Sequence, residues 1–150
     1  MNEITDVCLV FEDNAIGNQY LTPDWVKWLW TPEDKFNVTV IEFSLTALKV
    51  LSRTKYERLT GDIPVENEDV SVFQYLNESL NFGKGKINTV IEDVIEYSLD
   101  IKELSCGFPL LNNQLKVVGI HTNKFNGEET LKAIAIGSIL EAFKSFINYN

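Results

Sequence analysis

The sequence contains very little cysteine and histidine. Among its 150 residues there are two cysteines, Cys8 and Cys106, and one histidine, His121. Two cysteines so far apart in sequence are too few for a disulfide framework. With a single histidine they also provide no metal-ligand spacing, so we expect no metal site and no cofactor.

Positive charge and long apolar runs are also scarce. There are 13 Lys and Arg residues against 22 Asp and Glu residues, a net charge of −9. This excess repels phosphate backbones and anionic lipids, which disfavours nucleic acid and membrane surfaces as partners. No apolar run approaches the roughly 20 residues of a membrane span. Because the start of the chain is acidic and unlike a signal peptide, we expect an intracellular protein, cytoplasmic or nuclear.

The chain is rich in β-forming sequence. It is 45% hydrophobic and 11% aromatic, which is enough for the packed core of a single domain. We expect strands at 7–11, 18–21, 37–43, 70–76, 87–99, 108–111, 115–122 and 131–136, with turns at 81–86 and 112–114. Many short strands separated by turn signals favour a mainly β fold, either a barrel or a sandwich.

Helical signals are strongest near the C-terminus. Ser138 and Glu141 have the spacing of a capping box, which predicts Ser138 as the N-cap of a short helix. Apolar residues then recur at helical spacing and give this helix one apolar face: Ile139, Leu140, Phe143, Phe146 and Ile147. A weaker pattern of the same kind occurs within 44–59.

Two consecutive segments carry a resemblance to a known family. Residues 104–111 read Leu-Ser-Cys-Gly-Phe-Pro-Leu-Leu, and 115–122 read Leu-Lys-Val-Val-Gly-Ile-His-Thr. They resemble the nucleophile loop and following hairpin of trypsin-like (chymotrypsin-fold) proteases, and the loop is similar to that of viral chymotrypsin-like cysteine proteases. The resemblance implies a mainly β, chymotrypsin-like fold. Residues 1–60 would form a reduced first barrel, and residues 61–150 a second barrel with a C-terminal helix.

The resemblance places catalytic roles on residues that are poorly suited to them. Cys106 stands at the nucleophile position, where a thiolate is chemically acceptable. Trp25 or its neighbour Asp24 stands at the position of the base, and Asn37 at that of the acid. In this family the base precedes the nucleophile, whereas the only histidine, His121, follows Cys106. The resemblance therefore implies a degenerate active site.

The expected oxyanion hole departs from the family pattern as well. Leu104 replaces the glycine that the family has two positions before the nucleophile, and a branched side chain is poorly suited to positive φ. Loss of one oxyanion donor lowers the rate about 100- to 1,000-fold. Phe108 replaces a small residue two positions after Cys106, so we expect a bulky ring close to the former site.

Cys106 and His121 each have two interpretations. Cys106 is either a small buried residue of a tight turn or a nucleophile. His121 is either a hydrogen-bonded strand residue or part of a residual cleft, because a similarly placed histidine in picornavirus-type cysteine proteases lines the pocket for a substrate glutamine.

An aromatic cluster lies earlier in the chain. Trp25, Trp28, Trp30 and Phe36 are concentrated in a short region, and they are either core residues or exposed anchors for a partner. The absence of part of a first barrel would leave apolar surface there. We expect these four residues to bind another protein, a peptide segment or a second copy of the chain.

The resemblance and the departures from it imply a catalytically inactive pseudoprotease that acts as a protein-protein interaction module, a subunit of a complex. Trypsin-like domains are suited to this because they bind extended peptides by strand addition. One alternative is an active cysteine endopeptidase with Cys106 as nucleophile and Asp24 as base. A further alternative is a scaffold subunit that dimerises through its C-terminal helix.

Overall fold

The computed structural model describes two compact units, Met1–Tyr56 and Glu57–Asn150. The described residues are 8–9, 19–20, 22, 24–31, 38–52, 59, 62–76, 79–101, 104, 107–122 and 130–149. Three predicted site residues, Phe36, Asn37 and Cys106, lie outside them. The assignment of 1–60 to a reduced first barrel and of 61–150 to a second barrel stays a prediction.

In its described part, the first unit contains two antiparallel strand pairs and one helix. These are β1 (Cys8–Leu9) with β2 (Gln19–Tyr20), β3 (Val26–Trp30) with β4 (Val40–Phe43), and α1 (Leu45–Leu51). The helix α1 begins after Ser44, whose hydroxyl accepts a hydrogen bond from the backbone N–H of Ala47 (3.2 Å). Trp25 and Ala47 are the buried centre of this unit.

The second unit is a closed antiparallel barrel followed by a helix. Its strands are β5 (Asp69–Leu76), β6 (Ser79–Ile91), β7 (Val94–Leu99), β8 (Pro109–Leu111), β9 (Val117–His121) and β10 (Leu131–Ala135), and the helix is α2 (Ile136–Tyr149). Around the barrel the order is β10-β7-β6-β5-β8-β9. The predicted mainly β fold, with a barrel and a C-terminal helix, is confirmed.

Alternation of side chains builds the barrel core. In β10, Leu131, Ala133 and Ala135 are buried, while the residues between them are only partly buried. The turn predicted at 112–114 does join two strands, because β8 and β9 pair on either side of it.

Two turns differ from the prediction. Residues 81–86 lie inside β6 rather than in a turn. A Cβ at Gly85 would lie 1.6 Å from the carbonyl oxygen of Ser98, so this glycine permits close approach of two strands. The predicted strand 87–99 is instead split at Glu92, whose φ of 54° makes the tight turn between β6 and β7.

The C-terminal helix begins earlier than its sequence signal predicts. Helix α2 begins at Ile136, so Ser138 lies within the helix and the predicted capping box is wrong. Ile136 and Ile139 are buried, and this burial fixes the first turn directly after β10. Neither α1 nor α2, the helices of the described part of the chain, is long and apolar enough to cross a membrane.

Candidate functional site

The candidate site lies at the end of β9, where His121 pairs with Phe108, the residue directly before β8. The backbone N–H of His121 donates to the carbonyl of Phe108 (2.9 Å), and the N–H of Gly107 donates to the carbonyl of His121 (3.1 Å). Residues directly opposite in an antiparallel pair place their side chains on the same face. Strand pairing therefore brings His121 and Phe108 side by side inside the barrel.

Phe108 covers one face of the histidine ring. The two ring centroids are 4.4 Å apart and the planes are inclined by 6°. His121 is only 4% exposed and Phe108 is buried as well. The bulky ring expected near Cys106 therefore packs on the imidazole.

Tyr97 contacts the same imidazole from another strand. Its hydroxyl is hydrogen-bonded to Nδ1 of His121, and the two rings meet edge to face with centroids 5.9 Å apart. Tyr97 lies on β7 and His121 on β9, and β10 separates these strands in the barrel order. We call Tyr97, Phe108 and His121 the histidine cluster.

Burial sets the protonation states in the histidine cluster. Desolvation lowers the pKa of His121 below its ordinary value of 6.5, and desolvation also raises the pKa of the Tyr97 hydroxyl. Both groups are therefore neutral at pH 7. A neutral imidazole held by a phenol is chemically able to donate or accept hydrogen bonds, but it carries no charge.

The predicted nucleophile region is described only in part. Cys106 lies outside the described residues, whereas Gly107, which follows it, is exposed and has a φ of 81°. Leu104 packs against the barrel core and is not among the described residues with positive φ. Its backbone therefore does not take the left-handed conformation.

The tryptophan cluster divides between core and partly exposed positions. Trp25 is 8% exposed and packs with Ala47 in the first unit. Its N–H donates to the Thr22 carbonyl, and its own carbonyl accepts from Ser44, which holds it beneath α1. The expectation of an exposed anchor is therefore wrong at Trp25.

For Trp28, Trp30 and Phe36, the other members of the tryptophan cluster, the structure does not test the predicted binding role. Trp28 and Trp30 are half-buried on β3. Phe36 and Asn37 lie outside the described residues. A binding role for Trp28, Trp30 and Phe36 stays a prediction.

Sequence reasoning missed an exposed aromatic face on the barrel. Phe73 and Tyr75 on β5 lie opposite Phe82 and Leu80 on β6, respectively, and all four side chains are between 41% and 59% exposed. The sequence of β5 contains a signal for this face. Val70 and Val72 point into the barrel and Phe73 and Tyr75 point outward, so the strand carries apolar residues on both sides. We call Phe73, Tyr75, Leu80 and Phe82 the aromatic face.

Metal-ligating side chains do not cluster in the described part of the chain. No group of three or more His, Cys, Asp or Glu side chains is arranged there to hold a metal ion. The Lys84–Gly85–Lys86 segment lies inside β6 and has no loop to surround a phosphate.

Comparison with known proteins identifies the fold. No family model matches the chain, and no curated protein matches its sequence. Among solved structures, a Glu endopeptidase in complex with MPD matches with a TM-score of 0.61 and 15% sequence identity. The match covers 83% of this chain but 62% of the Glu endopeptidase chain, so the chain spans less than two thirds of that protein. The closed barrel and its terminal helix thus belong to a chymotrypsin-like fold.

Proposed function

We propose that this chain is a catalytically inactive chymotrypsin-fold domain that acts as a protein-interaction module. The observation that carries the proposal is the environment of His121. This residue is the chain's only histidine, and its side chain is buried between the Tyr97 hydroxyl and the Phe108 ring. The histidine serves the packing of the barrel.

A cysteine nucleophile needs a base that can approach its thiol. General-base catalysis requires a hydrogen bond between the two groups or one bridging water, and without such a neighbour a thiol stays largely protonated at neutral pH. The first unit supplies no histidine, because its sequence contains none. At the position that resembles the family's base, Trp25 is a buried indole with no basic nitrogen.

The fold supports retention of a binding role. Chymotrypsin-like barrels bind polypeptide segments before any bond is cleaved, and binding does not depend on a base. The barrel also presents the aromatic face to solvent, and exposed apolar patches on a folded domain mark interaction sites. Loss of catalysis and retention of binding are therefore compatible in this chain.

Thiol reactivity provides the first test. The wild-type chain is treated with iodoacetamide over a range of pH, and alkylation of Cys106 is followed by mass spectrometry of its proteolytic peptides. We expect reactivity to follow an ordinary thiol pKa of about 8.5 or higher. Rapid and selective alkylation of Cys106 near pH 6 would show an activated nucleophile and overturn the proposal.

Peptide-bond cleavage provides the second test. Wild type and Cys106→Ala are incubated with casein and with a mixture of fluorogenic peptides. We expect the two chains to be indistinguishable. Cleavage by wild type that is lost in Cys106→Ala would establish the alternative, a cysteine endopeptidase.

A further inference from the structure

The aromatic face is continuous within the β5–β6 hairpin. Phe73 lies opposite Phe82, and their ring centroids are 4.9 Å apart. Tyr75 lies opposite Leu80 in the next outward pair. Each side chain leaves apolar surface in water, although the opposite side of the same strands already packs into the core. Core packing therefore does not explain why these four positions are apolar.

A cleft extends the aromatic face toward the β8–β9 turn. It has a volume of about 500 Å³, and its lining includes Phe82, Asn112, Asn113 and Leu115. Leu115 is exposed and has a φ of 58°, an uncommon conformation for a branched residue. The cleft thus joins one edge of the aromatic face to a second exposed apolar side chain.

A second cleft borders the same turn. It has a volume of about 560 Å³, shares Asn112 and Asn113 with the first, and is lined by the carboxylates of Asp62, Glu66 and Glu68. Among the described residues that line it, none is a lysine or an arginine. We call it the acidic cleft.

Hydrogen bonds hold the acidic cleft to the barrel. The Asn112 side chain donates to the Asp62 carboxylate (3.0 Å), and its carbonyl oxygen accepts from the N–H groups of Gln114 and Lys116. Two apolar residues beside these acids, Ile63 and Val65, are 81% and 58% exposed. The acidic cleft is therefore also bordered by apolar surface.

The charges select the type of partner. The chain carries a net charge of −9, and the acidic cleft adds a local excess of carboxylates. Two lysines lie beside the aromatic face and the first cleft: Lys84 stands over the Phe82 ring (5.6 Å), and Lys86 pairs with Asp69 (3.5 Å). A partner with positive charge is attracted at long range and is complementary to the acidic cleft.

We propose that the aromatic face and the two clefts form one docking surface for a basic, apolar segment of another protein. Apolar side chains of the segment cover Phe73 and Phe82, and a lysine or arginine enters the acidic cleft. This inference rests on the proposed function and identifies the surface and the partner class. It assigns binding to residues of the barrel unit and not to the tryptophan cluster.

Selection from short random peptides displayed on phage tests the partner class. We expect wild type to enrich peptides that combine aromatic or aliphatic residues with lysine or arginine. The enriched peptides are then synthesised with a fluorophore, and their affinities are measured by fluorescence anisotropy at low and high salt. Affinity should fall as salt rises, because the charge pairs at an exposed surface are screened.

Substitutions test the location. We expect Phe82→Ser and Glu66→Lys each to weaken binding about tenfold or more. The matched controls are Ile91→Ser, at an exposed apolar residue on the same strand, and Glu141→Lys, at an exposed acid on α2. These controls should bind like wild type. Melting curves verify folding, and Tyr75→Ser replaces Phe82→Ser if that variant unfolds.

Several outcomes would overturn the inference. Enrichment of acidic peptides, no enrichment at all, or affinities unchanged by both test variants would each do so. Sedimentation that shows a wild-type dimer, converted to monomer by Phe82→Ser, would assign the surface to a second copy. Mass analysis of the recovered peptides distinguishes failure of the docking surface from failure of the proposed function. Cleaved peptides would contradict the proposed function. Intact peptides that bind both test variants with wild-type affinity would contradict only the docking surface.

Discussion

The imidazole of His121 lies parallel to the phenyl ring of Phe108, with the ring centroids 4.4 Å apart. Strand pairing fixes this arrangement, because the backbones of the two residues are hydrogen-bonded to each other. The Phe108 ring is therefore part of the barrel core. This contact connects the predicted nucleophile loop to the interior of the protein.

Removal of the Phe108 ring should strongly destabilise the barrel. We expect Phe108→Ala to lower the free energy of unfolding by about 3–5 kcal/mol, because the side chain is buried and its loss leaves a cavity beside His121. Phe82→Ala, at an exposed ring, should cost much less. Urea denaturation of both variants measures the difference, and equal losses would contradict it.

The stability of the protein should decrease below neutral pH. Burial lowers the pKa of His121 in the folded state below 6.5, so at mildly acidic pH the unfolded chain binds a proton more readily. The contribution is complete above about pH 6.5 and is lost as the pH falls toward the lowered folded value. Melting temperatures between about pH 5 and 7.5 should fall less in His121→Gln, since most carboxylates titrate near pH 4. An identical slope in both proteins would exclude His121 as the cause.

The hydrogen bond between Tyr97 and His121 should be measurable as a coupling. Tyr97→Phe removes the hydroxyl that contacts Nδ1 of His121, and a buried polar atom left without its partner costs about 1–3 kcal/mol. The double variant Tyr97→Phe, His121→Leu should lose less stability than the sum of the single variants. Urea denaturation of wild type, the two single variants and the double variant completes this double-mutant cycle. Additive losses of unfolding free energy would show that the two groups are not coupled.

Two glycines should respond differently to alanine. A Cβ at Gly85 would lie 1.6 Å from the Ser98 carbonyl oxygen, so Gly85→Ala should separate β6 from β7 and give an unfolded or insoluble protein. Among the described residues, no atom that a side chain at Gly107 would meet lies within 4 Å of its ideal Cβ position, so its φ of 81° is the obstacle that the described part of the chain shows. We therefore expect Gly107→Ala to cost about 1 kcal/mol. Circular dichroism melting curves distinguish the two, and a stable Gly85→Ala protein would contradict the strand spacing.

Helix α2 should contribute to stability through its first turns. Ile139 is buried and Ile147 is about half exposed. Ile139→Ala should lower the free energy of unfolding by about 2–5 kcal/mol, and Ile147→Ala by less than 1 kcal/mol or so. If denaturation shows both changes to be neutral, the helix does not stabilise the barrel.

Sequence periodicity predicted the barrel better than it predicted the candidate site. Strand β10 was correctly expected because Leu131, Ala133 and Ala135 alternate with residues that face outward. The same reasoning cannot pair Tyr97 with His121, because alternation shows which residues face inward but not which of them meet across the barrel. Their strands are separated by β10, so this contact depends on barrel closure.

The other differences between the sequence-based expectations and the structure concern residue types that occur in two kinds of position. Gly83 and Gly85 look like turn residues, yet both lie in β6, where a Cβ would collide with neighbouring atoms. Phe73 and Phe82 look like core residues, yet both are exposed. In each case residue type alone does not distinguish the alternatives, since the neighbouring strand decides between them.

The closed strand order has a consequence for how the chain is built. Strands β5, β6 and β7 follow one another in sequence and pair as neighbours, but β7 acquires its second partner only with β10. During synthesis the free edge of β7 therefore stays unpaired until β10, which ends at Ala135, has emerged from the ribosome. Pairing over such long sequence separations is slow, typically in the range of milliseconds to seconds. The last strand thus determines when the free edge of β7 is protected from other nascent chains.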